Sequence, residues 1–247
     1  VVSNNDWLEQ QVARNKIIPA RFGGQTWLLD ARGVAWLPAR DMLVVSDLHL
    51  EKGSYLGSFG HPLPHMDSRA TLDRLSVIVD DYRPQRLLCL GDSFHDVHAV
   101  SRMDRADKQF LAGLISQVKE WIWVLGNHDP AIPDEIEGKR HQRLRVETIG
   151  FCHEPENDWP ECSHQVIGHF HPKMRVSAGR QRVRGRCFAL SERLLIMPAF
   201  GQYTGGLWVD DPVMIDVLGG APHQQFLLSE QQIFSVKASD SANKKGR

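Results

Sequence analysis

Short apolar runs separated by turn residues open the chain. "TWLLD" (26–30), "VAWLPA" (34–39) and "MLVVSD" (42–47) fit the strand pattern. Helical spacing then takes over in "DSRATLDRLSVIVDDY" (67–82), where Leu72, Leu75, Val79 and Tyr82 recur behind an Asp/Ser cap. "QRLLCLGD" (85–92) is continuously apolar up to its polar end, as expected of a strand buried on both faces. "DRADKQFLAGLISQVKE" (104–120) is helical again, and "WIWVLGN" (121–127) is a second buried strand. Beyond it only strand-like segments follow: "RLRVETIGF", "SHQVIGHF", "VRGRCFAL", "RLLIMPAF", "GGLWV" and "PVMIDVL". Alternating β and α followed by mostly β predicts an α/β protein whose two mixed sheets pack face to face, helices outside. With no internal repeat and no long linker, residues 1–227 are expected to form one domain. The polar stretch 228–247 is expected to be a disordered tail.

Composition narrows the class without naming a reaction. A chain of 247 residues can bury one substantial core, and its 42% hydrophobic and 24% charged content is that of a globular protein. No run approaches the roughly 20 apolar residues of a membrane span. The N-terminus lacks the basic-then-apolar layout of a secretory signal, and the missing Met points to trimming or a partial chain. Cys89, Cys152, Cys162 and Cys187 show no C-x-x-C pairing and are expected to be reduced, buried thiols, which predicts a cytoplasmic location. The net charge of −1 hides an asymmetry: residues 172–193 carry seven Lys or Arg against the single acid Glu192. Such a segment suits either a polyanionic substrate or a solvated sheet face.

Metal-capable residues gather where the apolar strands end. "VVSDLHL" sets Asp47 and His49 two apart, on one face. "LLCLGD" ends in Asp92, "WVLGNHD" in Asn127, His128 and Asp129, and "VIGHFH" in His169 and His171. "IGFCHEP" adds His153, for which His141 in the charged "GKRHQRLRV" is the alternative. Packing Asn, His and Asp together after a buried strand is costly unless they have partners. Imidazoles and carboxylates without thiolates suit Mn²⁺, Fe or Zn²⁺, not Ca²⁺ or Cu(I). Two such ions about 4 Å apart can activate a water and clamp a phosphate in line.

The ordered series D-x-H, GD, GNHD, single His and GHxH over residues 47–171 resembles the calcineurin-like binuclear metallophosphoesterase superfamily. That resemblance implies a four-layer αββα metallophosphoesterase fold holding two divalent metal ions. By motif, Asp47, His49 and His171 would hold the first ion, Asn127, His153 and His169 the second, and Asp92 would bridge them. His128 is then a candidate proton donor to the phosphate or leaving oxygen, or an orienting histidine. His95, three residues after Asp92, is expected to face the same cavity and contact the phosphate or leaving group.

"PAFG-x-x-TGG" (198–206), with "GDSFHD" (91–96) upstream, resembles the bacterial ligase-associated DNA damage response endonucleases over residues 25–217. Implied by that likeness is Mn²⁺-dependent phosphodiester cleavage that nicks single-stranded DNA in a DNA repair pathway, by a hydroxide activated by two metals. Association with a DNA ligase, a helicase and an exonuclease-like protein is implied too. The rival readings are a phosphomonoesterase or small-nucleotide phosphodiesterase, and a non-catalytic metal-binding scaffold. Candidate substrate contacts are Arg102, Tyr203 and the row Arg182, Arg184 and Arg186, which alternate with Val183 and Gly185 on one strand face. Such a row can follow a nucleic-acid backbone or simply face solvent; with no aromatic interleaved, little sequence preference is expected. Tyr203 has turn packing as its plainer role. His61 and His65, in "GHPLPH", are expected in a surface loop, and His164 in ordinary packing or at the surface.

Overall fold

The computed structural model describes residues 4–60, 66–178, 181–220 and 223–237; His61, His65, Arg180 and residues 238–247 lie outside them. Helix α1 (Asn4–Ala13) precedes a meander of β1 (Ile17–Phe22), β2 (Gln25–Asp30) and β3 (Ala35–Leu37), and a 3-10 turn at Pro38–Arg40 leads into β4 (Met42–Val45). Next come α2 (Lys52–Ser58), α3 (Asp67–Tyr82), β5 (Arg86–Leu90), α4 (Ala99–Arg102), α5 (Arg105–Ser116), β6 (Glu120–Val124) and β7 (Lys139–His141). The second half holds β8 (Leu144–Val146), β9 (Ile149–Cys152), β10 (His164–Ile167), β11 (Lys173–Ala178), β12 (Gln181–Leu190) and β13 (Leu194–Ile196). Helix α6 (Pro212–Val217), β14 (Gln224–Ser229) and β15 (Gln232–Lys237) complete it.

The strands form two mixed sheets. One runs β1-β2-β3-β4-β5-β6-β7, the other β15-β14-β12-β13-β10-β9-β8 with β11 paired to β12. Strand β4 shows why the apolar runs are continuous. Met42 and Val44 point into the layer between the sheets, against Phe151, Val166, Phe188 and Phe226. Leu43 and Val45 point the other way, onto Leu72, Leu75 and Val79 of α3 and Leu111 and Leu114 of α5. Both faces of the strand are thus dry, and each buried Leu or Val contributes roughly 1.5–3 kcal/mol. On the far side, Cys152, Ile167, Ala189 and Ile196 pack against Met214 and Leu218 in and just after α6. Helices, sheet, sheet and helix give the expected four layers.

Helix α3 spans the residues predicted, and Arg83 ends it in the left-handed conformation (φ 47°) just before Pro84. Four expectations need correction. "PVMIDVL" is helical: the Asp211 carboxylate accepts from Val213 N at 2.9 Å, and Pro212 sits at the first helical turn, so the cap outweighs the β-branched composition. "RLRVETIGF" is two strands, β8 and β9, folded back at Glu147 (φ 56°). "GGLWV" forms no strand; Trp208 makes only an isolated bridge to Lys173. The expected tail from 228 begins inside β14, and β15 follows it. There the buried positions Phe226, Leu227 and Leu228 lie between the exposed Gln224 and the exposed Gln231 and Gln232, with the buried Ile233 next, so the average polarity conceals an ordered hairpin. Ile233 N also donates to Asn15 O at 2.8 Å, tying β15 to the start of the chain. Helix α1 and strand β1 were not predicted. All four cysteines are free and buried, and no helix among the described residues is long and apolar enough to cross a membrane.

Candidate metal centre

Strands β4, β5 and β6 are parallel neighbours, as are β9 and β10, so their carboxyl ends bring their following loops to one edge of the sandwich. Asp47 and His49 follow β4, Asp92 follows β5, Asn127 and His128 follow β6, His153 follows β9, and His169 and His171 follow β10. The chain leaves these strands sharply. Asp47, His49, Asp92, His169 and His171 all have positive φ, between 45° and 67°, which non-glycine residues adopt at a cost. Gly91 (φ 75°) meets a second demand, since a Cβ there would lie 2.1 Å from His153 Nδ1. The PAFG segment closes the other side: Phe200 N donates to Ser46 O and Gly201 N to Asp47 O, both at 2.9 Å. A Cβ on Gly201 would meet Leu48 O at 2.1 Å.

The side chains converge. His171 Nε2 is 3.0 Å from Asp47 Oδ1 and 3.3 Å from His49 Nε2. His153 Nε2 is 3.2 Å from Asp92 Oδ2, 3.0 Å from Asn127 Oδ1 and 3.3 Å from His169 Nδ1, itself 3.1 Å from Asn127 Oδ1. Asp92 Oδ2 also lies 3.9 Å from His49 Nε2, between the two halves. Ligand atoms of Asp47, His49 and His171 lie within 4.8 Å of one another, as do those of Asp47, Asp92 and His153. Ligands sharing one ion at about 2.1 Å stand roughly 3.0–3.4 Å apart, so these contacts suit oxygen and imidazole donors around divalent ions. His153 Nδ1 is 3.3 Å from Leu90 O, an acceptor for its N–H that leaves Nε2 for the cluster. His141 sits in β7, outside both groups of donors.

Burial and charge divide the histidines. Burial alone would strip the proton from His153, but its hydrogen bond to Asp92 and the charges of Asp47 and Asp92 raise it to about 9. Burial likewise opposes ionisation of Asp92, yet His153 and the His128 backbone N–H bring it to about 2. His49 is pushed down to about 3 by burial, against the pull of Asp47 and Asp92, and is neutral at pH 7. His95 falls to about 4 through burial and the neighbouring Lys52 and His128.

His95 and His128, singled out in the sequence, border the cluster. His95 Nδ1 is 3.3 Å from His49 Nδ1, and its ring stacks on His128 with centroids 5.0 Å apart. His128 Nδ1 donates to His95 O at 2.8 Å, leaving Nε2 free, while its backbone N donates to Asp92 Oδ1 at 2.9 Å. Arg102 is engaged elsewhere: it forks onto Asp96, donates to Ser54 Oγ and lies over the Tyr55 ring. Asp96 also caps the next turn through His98 N. The arginine row is divided. Arg182 and Arg184 are exposed, but Arg186 turns inward and donates to Ala199 O. Tyr203 is 44% exposed in the PAFG-x-x-TGG loop, without a role fixed by packing.

Lys52 was missed as part of the site, and Asp129, counted among the metal-capable residues, serves a different purpose. The buried Asp129 carboxylate accepts from the backbone N of Asp92, Ser93, Phe94 and Gly126 at 2.8–3.1 Å, locking the β5 and β6 loops together. Burial, helped by the neighbouring Asp92 charge, pushes this carboxyl up to about 7, against the pull of the Phe94, Gly126 and Ser93 N–H groups. Its place in "GNHD" was the available signal. Lys52, half-buried and lowered by that burial, is charge-coupled to His49, His95 and Asp92. Its signal was its closeness to "DLH".

A sandwich of two mixed sheets with a carboxylate–imidazole cluster at its parallel strand ends defines a metallohydrolase. The profile of the calcineurin-like phosphoesterase family matches residues 41–197, and the chain belongs to that family: it is a metal-dependent hydrolase of phosphoester bonds. Its fold is similar to that of the Pseudomonas putida nuclease MPE, with TM-score 0.72 and 24% identity over 89% of this chain and 100% of that one. Yfce, a phosphoesterase from E. coli, aligns at TM-score 0.40 and 15% identity over 79% of this chain and 97% of that one. Curated protein sequences show no significant match.

Proposed function

We propose that this chain is a Mn²⁺-dependent phosphodiesterase that nicks single-stranded DNA in DNA repair. Asp47, His49 and His171 would hold one ion and Asn127, His153 and His169 the second, with Asp92 placed between the two groups to serve both. The observation that carries this reading is the convergence of all seven donors at 3.0–3.9 Å, with Asp92 Oδ2 between His49 and His153. When bound, the two ions supply an activated water and an in-line clamp on the phosphate.

The chain's own residues prepare that site. Neutral His49 presents Nε2 to the cluster, so its Nδ1–H donates to His95 Nδ1, and His95 keeps its proton on Nε2. His95 is thus a positioning residue for His49 with an N–H left for the substrate. His128, anchored through Nδ1–H, would donate to the phosphate or leaving oxygen in its doubly protonated form, in which Nε2 also carries a proton.

DNA as substrate is supported by the likeness to the P. putida nuclease and by the basic hairpin β11–β12. Arg182 and Arg184 are exposed on it. Trp208, from a distant segment, lies 5.2 Å from Lys173 Nζ and 5.0 Å from the Arg175 guanidinium, bringing the aromatic that the local sequence lacked. An indole among cations is a surface on which bases stack. Arg102, already paired, takes the role of a strut here, and Tyr203 stays a candidate base contact.

The test is strand scission. With Mn²⁺, the protein is expected to convert circular single-stranded DNA to linear and to hydrolyse a bis-aryl phosphodiester faster than a mono-aryl phosphate. Cleavage of the monoester alone would favour the phosphomonoesterase reading, and a metal-loaded but inert protein the scaffold.

A further inference from the structure

A cavity of about 680 Å³ opens between α1, α3 and the β14–β15 turn, and it shares no residue with the metal cluster. Its lining carries more cations than acids: Arg14, Lys16, Arg32, Arg74 and Arg186 against Asp30, Asp81 and Glu230. Arg32 is neutralised by Asp30 and Asp81. Among the described residues, Arg74 and Arg186 have no carboxylate partner. Both instead donate to the backbone of one segment, Arg74 to Phe200 O and Arg186 to Ala199 O and, at 3.5 Å, to the same Phe200 O.

Two guanidiniums crowded onto one carbonyl repel each other, and burial from water leaves that repulsion poorly screened. Arg74 is pushed down to about 10 by burial and by the charge of Arg186, and burial lowers Arg186 as well. Arg74 Nε is buried with no acceptor among the described residues. An anion in the cavity would compensate both charges. Planar forks of this kind match phosphate oxygens in pairs. Trp7, Ile78 and Phe200 give the same cavity an apolar wall, and its volume suits a nucleotide-sized ligand.

We propose that this cavity is a second, metal-independent site that binds a phosphate monoester group, carried by a mononucleotide or by the end of a nucleic-acid strand. Arg74 and Arg186 hold the phosphate, Arg14 and Lys16 guide it in at the rim, and the Trp7 side receives the apolar part. None of its residues is one of the seven proposed metal ligands, although Phe200 belongs to the PAFG segment that borders the metal centre.

Isothermal titration of the full chain, metal-loaded and chelator-treated, tests it with four probes: inorganic phosphate, 5′-dAMP, a 5′-phosphorylated oligo(dT) and its 5′-hydroxyl counterpart. One equivalent of a phosphorylated probe should bind the chelator-treated chain, and the 5′-hydroxyl oligonucleotide should bind more weakly. Which phosphorylated probe binds best identifies the carrier. Arg74→Gln should weaken binding about tenfold or more. Arg14→Gln, at the exposed rim and neutral for folding, should weaken it a few-fold. Binding that vanishes with the metal, that ignores the 5′-phosphate, or that survives both substitutions would overturn the proposal.

Discussion

Without metal, His153 keeps at pH 8 a proton that an unperturbed histidine has already lost, because Asp92 and Asp47 stabilise its charge and hold it at about 9. A folded value above the unfolded one means that this pair stabilises the metal-free protein fully below about pH 6.5 and progressively less as pH rises through about 9. The same proton must leave when a cation takes the His153 nitrogen. Mn²⁺ titrated into the metal-free chain at pH 7 is therefore expected to release about one proton from His153, read by calorimetry in buffers of different ionisation enthalpy. Release unchanged in His153→Asn would contradict the assignment. Asp129 makes a second prediction. Asp129→Asn replaces an acceptor with an NH₂ that confronts backbone N–H groups, so stability should fall by about 2–4 kcal/mol in denaturant unfolding. The donors themselves were legible in the sequence, since Asp, Asn and His at the ends of apolar runs point to metal chemistry wherever they meet. The service of Asp129 to another loop was not, because its partners Asp92, Ser93 and Phe94 lie some thirty-five residues earlier in the chain.

Elements were readable where burial sets the period. Helix α3 buries one face and strands β4–β6 bury two, and each left that signature in the pattern. Helix α6 left a weaker one, because Val213, Ile215 and Val217 favour strand and only the Asp211–Pro212 start argues otherwise. Its cap is thus decisive. Asp211→Ala should cost about 1 kcal/mol in thermal unfolding and loosen the Met214 and Leu218 contacts that cover β10 and β13. A change within measurement error would mean that packing alone holds this helix. The arginine row illustrates the same limit. Alternation placed Arg182, Arg184 and Arg186 on one face, but the carbonyls of Ala199 and Phe200 draw Arg186 inward. Local spacing carries no trace of that distant segment.

Over the whole molecule, the sandwich is closed at one edge by its last strands. Phe226 and Ile233 are buried between the sheets, and β15 hydrogen-bonds back to Asn15. Ending the chain at residue 227 would cut β14 and remove β15, exposing Trp27, Leu29 and their neighbours. Such a chain is expected to unfold or aggregate, judged by circular dichroism and light scattering; a stable, fully active product would refute the role of this hairpin. Strand order was beyond reach of the sequence, since pairing β12 with both β13 and β14 depends on chain reversals that apolar periodicity does not encode.

The central claim is that the clustered side chains act as one two-metal site, and Asp92 is the residue on which both halves depend. Its most direct test is bis-aryl phosphodiesterase activity measured together with bound Mn²⁺ for the unsubstituted chain and Asp92→Asn. Two ions per unsubstituted chain, fewer in the variant, and a rate lower by about a hundredfold or more are expected. An equal rate at equal metal content in the two proteins would contradict it.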